Sequence, residues 1–155
     1  MSTKKMLQNL YLFKGLGEDQ MQKIDSIANL ETFVPGDDIF GQGDPATALY
    51  MIQFGSVRIL QKTAGGDSIE VASLGTGSHF GEMAFLDGEP RSASATPIEK
   101  SDIVVLDYAK LDEVLSDDFS IAVHFYKQLA HFLAGRLRIT TNDLSFARSQ
   151  NLSHF

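Results

Sequence analysis

Hydrophobic residues change their spacing twice along this chain of 155 residues, and that double change restricts the fold more than any other feature. From Met6 to about Asn29 the spacing is helical. Leu7, Leu10 and Phe13 recur every third residue, and Met21, Ile24, Ile27 and Leu30 repeat the pattern. Gly15 and Gly17 separate the two pieces, and Asp25 and Asn29 fall on the polar face. From about Thr32 to Asp107 the helical period disappears. Short runs rich in Val, Ile, Phe, Tyr and Thr take over: Thr32-Phe33-Val34, Asp38-Ile39-Phe40, Ala48-Leu49-Tyr50-Met51-Ile52, Ser56-Val57-Arg58-Ile59-Leu60, Ser68-Ile69-Glu70-Val71-Ala72 and Asp102-Ile103-Val104-Val105-Leu106. Turn residues divide them at Pro35-Gly36-Asp37, Gly43-Asp44-Pro45, Gly55 and Gly65-Gly66-Asp67. Many short strands with such punctuation predict an antiparallel sandwich, barrel or jelly roll. After Tyr108 the helical period returns, first in a short piece, Lys110 to Leu115. A long one follows, Asp118 to Phe146, with Ala122, Phe125, Leu129, Phe132, Leu133, Leu137 and Leu144 on one stripe. Gly135 weakens that helix slightly, and residues 150–155 read as a frayed tail. The expected architecture is a mainly β domain with flanking helices. Helices occupy 1–30, a β-roll or jelly roll 31–108, and helices again 109–149.

Composition removes several function classes. The length suits one domain, and 43% hydrophobic with 21% charged residues suits a packed globular chain. The absence of Cys excludes disulfides and thiolate metal sites. A formal net charge of −7 leaves no basic footprint for nucleic acid, and it disfavours an anionic membrane surface. No apolar run reaches the length of a membrane span, and the basic start is not followed by a signal-peptide core. These features together predict a cytoplasmic protein. An anionic small molecule stays compatible, because a site needs only local positive charge and backbone N–H groups.

The stretch from Gly75 to Ala95 breaks the strand pattern. Phe80-Gly81-Glu82-Met83-Ala84 reads as a strand passing into a helical turn. The start of such a turn offers unpaired N–H groups to an anion, and Gly81 lets a ligand approach the backbone. Arg91 can clamp phosphate oxygens through two parallel hydrogen bonds, with Ser92 adding a hydroxyl. Glu82 has the wrong charge for phosphate, so it suits the hydroxyls of a sugar. Phosphate and ribose readers this close together suggest a compact nucleotide.

Phe80-Gly81-Glu82-Met83-Ala84, six further residues, and then Pro90-Arg91-Ser92-Ala93 resemble the phosphate-binding cassette of the cyclic-nucleotide-binding domain family. Gly43-Asp44-Pro45, Leu49-Tyr50-Met51-Ile52 and Gly55-Ser56-Val57 resemble the family's strand-and-turn signature, and Phe13-Lys14-Gly15-Leu16 its helical lead-in. The resemblance implies a β-roll flanked by helices. It implies that Glu82 binds the ribose 2′-hydroxyl, and that Arg91 binds the cyclic phosphate with help from Ser92 and the N–H groups near Met83 and Ala84. It places Val71 against the purine. Phe80, Gly81 and Ala93 complete the cassette.

Arg136-Leu137-Arg138-Ile139-Thr140-Thr141 resembles the dimer helix of the bacterial catabolite-activator type. That implies a homodimer through the long helix, with Thr140 on the base in its own subunit and Thr141 reaching the base of the partner. It also favours adenine, hence cAMP. The Ser92 hydroxyl keeps cGMP open, because Thr at that position accompanies cGMP recognition in the family. The catabolite-activator branch continues into a helix-turn-helix domain and this chain stops, so the expectation is either a free-standing sensor or the sensor part of a larger regulator.

Plainer readings stand beside these. Arg91 alone could be a surface residue paired with Glu89, Glu82 could cap a turn, and Val71 could be ordinary core. Thr140 and Thr141 could bond back to their own helix, and the apolar stripe could pack on its own domain. His79, His124, His131 and His154 lack the spacing of metal ligands, and no nucleophile elbow is present. The site therefore reads as binding without turnover, with no metal and no cofactor beyond the ligand. The downstream partner is not legible. A protein-interaction module with a non-binding pocket is the rival class, and a phosphodiesterase comes last.

Overall fold

The computed structural model describes Leu7 and residues 10–152. The helical start expected at Met6, the tail beyond residue 152 and His154 lie outside the described residues. A short 3-10 turn, Tyr11–Phe13, leads to α1, Glu18–Asp25. Seven strands follow: β1 Ala28–Phe33, β2 Ala48–Phe54, β3 Ser56–Lys62, β4 Ser68–Gly75, β5 His79–Phe80, β6 Ser94–Pro97 and β7 Ser101–Asp107. Helix α2, Glu82–Asp87, interrupts them after β5, and α3, Tyr108–Asp117, and α4, Phe119–Leu152, end the described chain. The strands form a four-stranded sheet, β1-β7-β2-β5, and a three-stranded sheet, β4-β3-β6. Every pairing is antiparallel. The jelly-roll architecture expected from the short, Gly-bounded runs is the one observed.

Strand β2 explains how the layers stack. Its apolar run does not alternate with polar residues because both faces are covered. Ala48, Tyr50 and Ile52 face a core shared with Val57, Phe80, Ala95 and Ile103. Leu49 and Met51 face a second core, where Val104 and Leu106 of β7 meet Phe13, Met21, Leu111, Phe125 and Leu129 from the helices. The period of two thus sends alternate side chains into two different cores. The β2–β3 turn is equally constrained. Gly55 has φ +116°, and a Cβ there would lie 2.7 Å from the Ser101 Cα, so this turn admits no side chain.

Side chains set the helix starts. Asp107 precedes α3 and accepts a hydrogen bond from the Lys110 N–H at 3.1 Å. Asp118 precedes α4, accepts from the Ser120 and Ile121 N–H groups, and binds Lys23 of α1 at 2.9 Å. One aspartate thereby caps the long helix and ties it to the N-terminal segment.

Three expectations need correction. The helical period was read through Ile27 to Leu30, yet α1 stops at Asp25 and Ala28 opens β1. Pairing of β1 with β7 across six residue pairs overrides the local spacing, and Leu30 is left half-exposed on the sheet. Asp25 is partly buried rather than on an open polar face, and Asn29 is exposed on a strand. Asp38-Ile39-Phe40 forms no strand of its own, only an isolated bridge from Phe40 to Ala95. It lies along the edge of β6, with the Ile39 N–H donating to the Ala95 carbonyl and the Ala95 N–H to the Phe40 carbonyl.

Helix α4 has 34 residues, about 51 Å at the standard rise. Its stripe divides in two. Ile121, Phe125 and Leu129 are buried against the domain, whereas Leu137, Ile139, Leu144 and Phe146 are more than half exposed. Among the described residues no helix is long and apolar enough to cross a membrane.

Candidate functional site

The sequence between β5 and β6 builds a cleft between the three-stranded sheet, α2 and α4. Strand β5 ends at Phe80 and the chain turns at Gly81, whose φ of +86° carries it directly into α2. A side chain there is excluded twice over, because a Cβ would lie 2.9 Å from Arg91 Nη1 and 3.2 Å from the Ala48 carbonyl. Helix α2 ends at Gly88, also left-handed, whose N–H donates to the Ala84 carbonyl. The returning segment is fastened by the Gly43-Asp44-Pro45 turn. The Gly43 N–H donates to the Arg91 carbonyl at 2.8 Å, and the Arg91 N–H donates to the Asp44 carbonyl at 2.9 Å. The Asp44 carboxylate in turn accepts from the Gly41 N–H. That turn fixes the backbone of Arg91.

The cleft has a volume of about 440 Å³, within the range of small-ligand pockets. Val71, Phe80, Gly81, Glu82, Met83, Ala84, Arg91, Ser92 and Ala93 all line it, so nine of the eleven residues chosen from sequence meet at one place. Val71 and Met83 are about half-exposed at the cleft, in the manner of apolar groups awaiting a cover rather than ordinary core. Thr140 and Thr141 do not line it. They lie on the exposed part of α4, beyond Phe132, Leu133 and Arg136, which are the residues this helix contributes. Thr141 instead borders a shallow depression with Leu137 and Arg138.

Arg91 is no surface residue. It is 5% exposed, and among the described residues no carboxylate pairs with it. Nη2 donates to the Ala48 carbonyl at 2.6 Å, while Nη1 donates to the Gly81 carbonyl at 3.1 Å and the Tyr108 hydroxyl at 2.9 Å. The guanidinium lies 4.1 Å from the centre of the Phe40 ring. Neutral oxygens and a ring face thus hold a buried cation whose Nε–H has no partner. Burying a charge without a counter-ion is costly, and an incoming anion would relieve it. Burial raises the Tyr108 and Tyr50 phenol pKa values, while the Arg91 guanidinium beside them pulls both partly back.

Glu82 opens α2 and is 9% exposed, so its carboxylate is a cleft group and not a surface cap. His79 lies beside it, with Nδ1 3.5 Å from Oε2. No group of three or more possible ligands gathers for a metal among the described residues.

Sequence reading missed His79 as a wall of the cleft, Tyr108 as a partner of Arg91, and Phe40, Phe132 and Arg136. The alternation of β3 could have found Ile59 and Gln61, which line the cleft on the face shared with Val57. Nothing local could have found Tyr108, which is 17 residues from Arg91 and meets it only because β7 ends beside Gly81.

Comparison with known proteins agrees with this geometry. The chain is 36% identical over 146 residues to the cyclic AMP receptor protein of Thermus thermophilus, covering 90% of this chain and 64% of that one. It is 32% identical over 126 residues to the CRP-like cAMP-activated global transcriptional regulator of Mycobacterium tuberculosis, covering 81% and 51%. The chain therefore spans between half and two thirds of the length of these two curated relatives. The crystal structure of the Thermus thermophilus catabolite activator protein superposes with a TM-score of 0.76 at 32% identity, over 87% of this chain and 62% of that one. The family model for the cyclic nucleotide-binding domain matches residues 30–118, from β1 through α3 and including every part of the cleft except α4. The protein belongs to the cyclic nucleotide-binding domain family.

Proposed function

We propose that this chain is a sensor of cyclic purine nucleotide, with cAMP the preferred ligand, and that it binds without turnover. The observation that carries this reading is the buried, unneutralised Arg91 at a cleft that the buried Glu82 also lines. One anionic group and one hydroxyl-bearing group complement this pair. The first N–H groups of α2 have no partner within that short helix and add donors on the same wall. Val71 and Met83 supply apolar surface for a base. The cAMP named in both relatives supports adenine, and the exposed hydroxyl of Ser92 is the feature that would serve cGMP.

Binding changes the chain through Arg91. Its present acceptors are a hydroxyl and two neutral carbonyls, and charge-assisted bonds to a phosphate are stronger. A guanidinium that turns toward phosphate loosens its grip on Ala48 and Tyr108. Tyr108 is the first residue of α3, so the exchange reaches the helices directly. The ligand shifts the population of helix arrangements in proportion to its differential affinity for them.

The long helix supports a homodimer. Phe119, Val123, Tyr126, Ala130, Leu133, Leu137, Thr140 and Leu144 follow alternating steps of four and three, the spacing of a coiled-coil seam. The exposed apolar residues of that series are better covered by a second copy than by water. On this reading Thr140 sits in the seam and Thr141 beside it, which carries them to a ligand only in the dimer.

The test is calorimetric titration of nucleotide-stripped protein with cAMP and then cGMP, for the native chain and Arg91→Lys. Lysine keeps the charge but loses the fork, and binding should weaken about 10- to 100-fold, the worth of one charge-assisted hydrogen bond. Absence of heat from folded, ligand-free protein would refute the reading and favour an interaction module.

A further inference from the structure

His79 is buried in the cleft wall and unsatisfied. It is 5% exposed, and neither ring nitrogen has a hydrogen-bond partner among the described residues. Its Nδ1 lies 3.5 Å from Glu82 Oε2, too long for a good hydrogen bond but close enough for charge to be felt. Its ring packs 4.3 Å, centre to centre, from Phe132 of α4. A buried polar atom without a partner costs free energy, and two on one ring require a compensating role. A neutral imidazole presents one donor and one acceptor, whereas the imidazolium presents two donors. Two acceptors are what the cleft would offer once filled. One is the Glu82 carboxylate, and the other is an oxygen of an anionic ligand.

We propose that His79 is a proton-linked positioning residue: it takes up a proton as the anionic ligand binds, donates from Nδ1 to Glu82, and so holds that carboxylate toward the sugar. The inference rests on the sensor reading and deepens it. Glu82 on α2, Arg91 before β6, Arg136 on α4 and the acidic Asp87 and Glu89 line the cleft together with His79. The charge that binding adds to this set is the phosphate's, and an added anion favours the imidazolium. By reciprocity, lower pH raises ligand affinity. For one linked proton the limit is about tenfold in Kd per pH unit across the titration.

The experiment is calorimetry with cAMP between pH 6 and pH 8, in buffers of different ionisation enthalpy, so that protons taken up are counted directly. The native chain should bind more tightly toward pH 6 and take up protons near neutrality. His79→Gln keeps a polar side chain without a titrating group, and His79→Phe keeps the ring against Phe132. Both should flatten the pH profile and remove the uptake. An unchanged slope and uptake in folded variants overturns the inference and leaves the sensor reading standing. Failure of the native chain to bind at any pH overturns both. If the variants do not fold, the His79 ring signal in proton NMR decides: an upward move of its pKa on cAMP addition supports the inference, and no move refutes it.

Discussion

Replacing Gly81 by alanine would test the cassette geometry at its tightest point. The backbone there has φ +86°, which costs an L-residue about 1–2 kcal/mol. The added Cβ also has no free space. It meets Arg91 Nη1 at 2.9 Å, the Ala48 carbonyl oxygen at 3.2 Å and Tyr50 Cδ2 at 3.3 Å. The carbonyl belongs to a core strand and the Tyr50 ring stacks on Phe80, so Arg91 must give way. Its Nη1 then loses the Gly81 carbonyl or the Tyr108 hydroxyl, and a hydrogen bond from a charged group is worth about 1.5–3 kcal/mol. Together these give a loss of about 2.5–5 kcal/mol. For a chain of this size each kcal/mol lowers Tm by about 2–4 °C, so the expected drop is about 5–20 °C. Gly36→Ala is the matched control, because Gly36 also has a left-handed φ, +101°, but no atom within 4 Å of a Cβ. It should show the backbone cost alone. The assay is thermal and urea unfolding followed by circular dichroism. If the two variants melt within about 2 °C of each other, a shift that a fraction of one hydrogen bond would produce, the claimed crowding around Arg91 is wrong.

Two further perturbations address other parts of the structure. Burial holds the Tyr108 phenol above its ordinary value of 10, so the folded chain keeps that proton more tightly than the unfolded chain does. The associated stability is complete below pH 10 and is lost as pH rises through the folded value. Tyr108→Phe should therefore show a shallower alkaline fall in unfolding midpoint than the native chain, and an equal slope would refute the assignment. Leu137→Asp combined with Leu144→Asp places charge in the proposed seam of α4, where both native side chains are more than half exposed. Light scattering should report a monomer; a persistent dimer would place the interface elsewhere.

Much of the fold follows from local pattern. The strand region was readable because Gly36, Gly43, Gly55 and Gly66, which punctuate the runs, stand at turns where the backbone is left-handed and glycine is the natural residue. The helices were readable from their apolar spacing. The boundary of α1 was not, because a strand partner 70 or more residues away determined whether Ala28 to Leu30 would be helix or sheet. The cassette was readable as chemistry, since Gly, Glu, Pro and Arg stand within a dozen residues and their types leave few uses.

The sequence by itself determined that a mainly β domain with flanking helices forms, and it singled out one arginine and one glutamate that the fold brings to the same cleft. Tertiary structure alone decided that Arg91 is buried against Phe40 and bound to Tyr108, that Gly43-Asp44-Pro45 fixes its backbone, and that His79 stands unsatisfied beside Glu82. Those facts depend on burial and on pairings between distant segments. Spacing along a chain reports which face a residue occupies, but it carries no information about which other face will close over it.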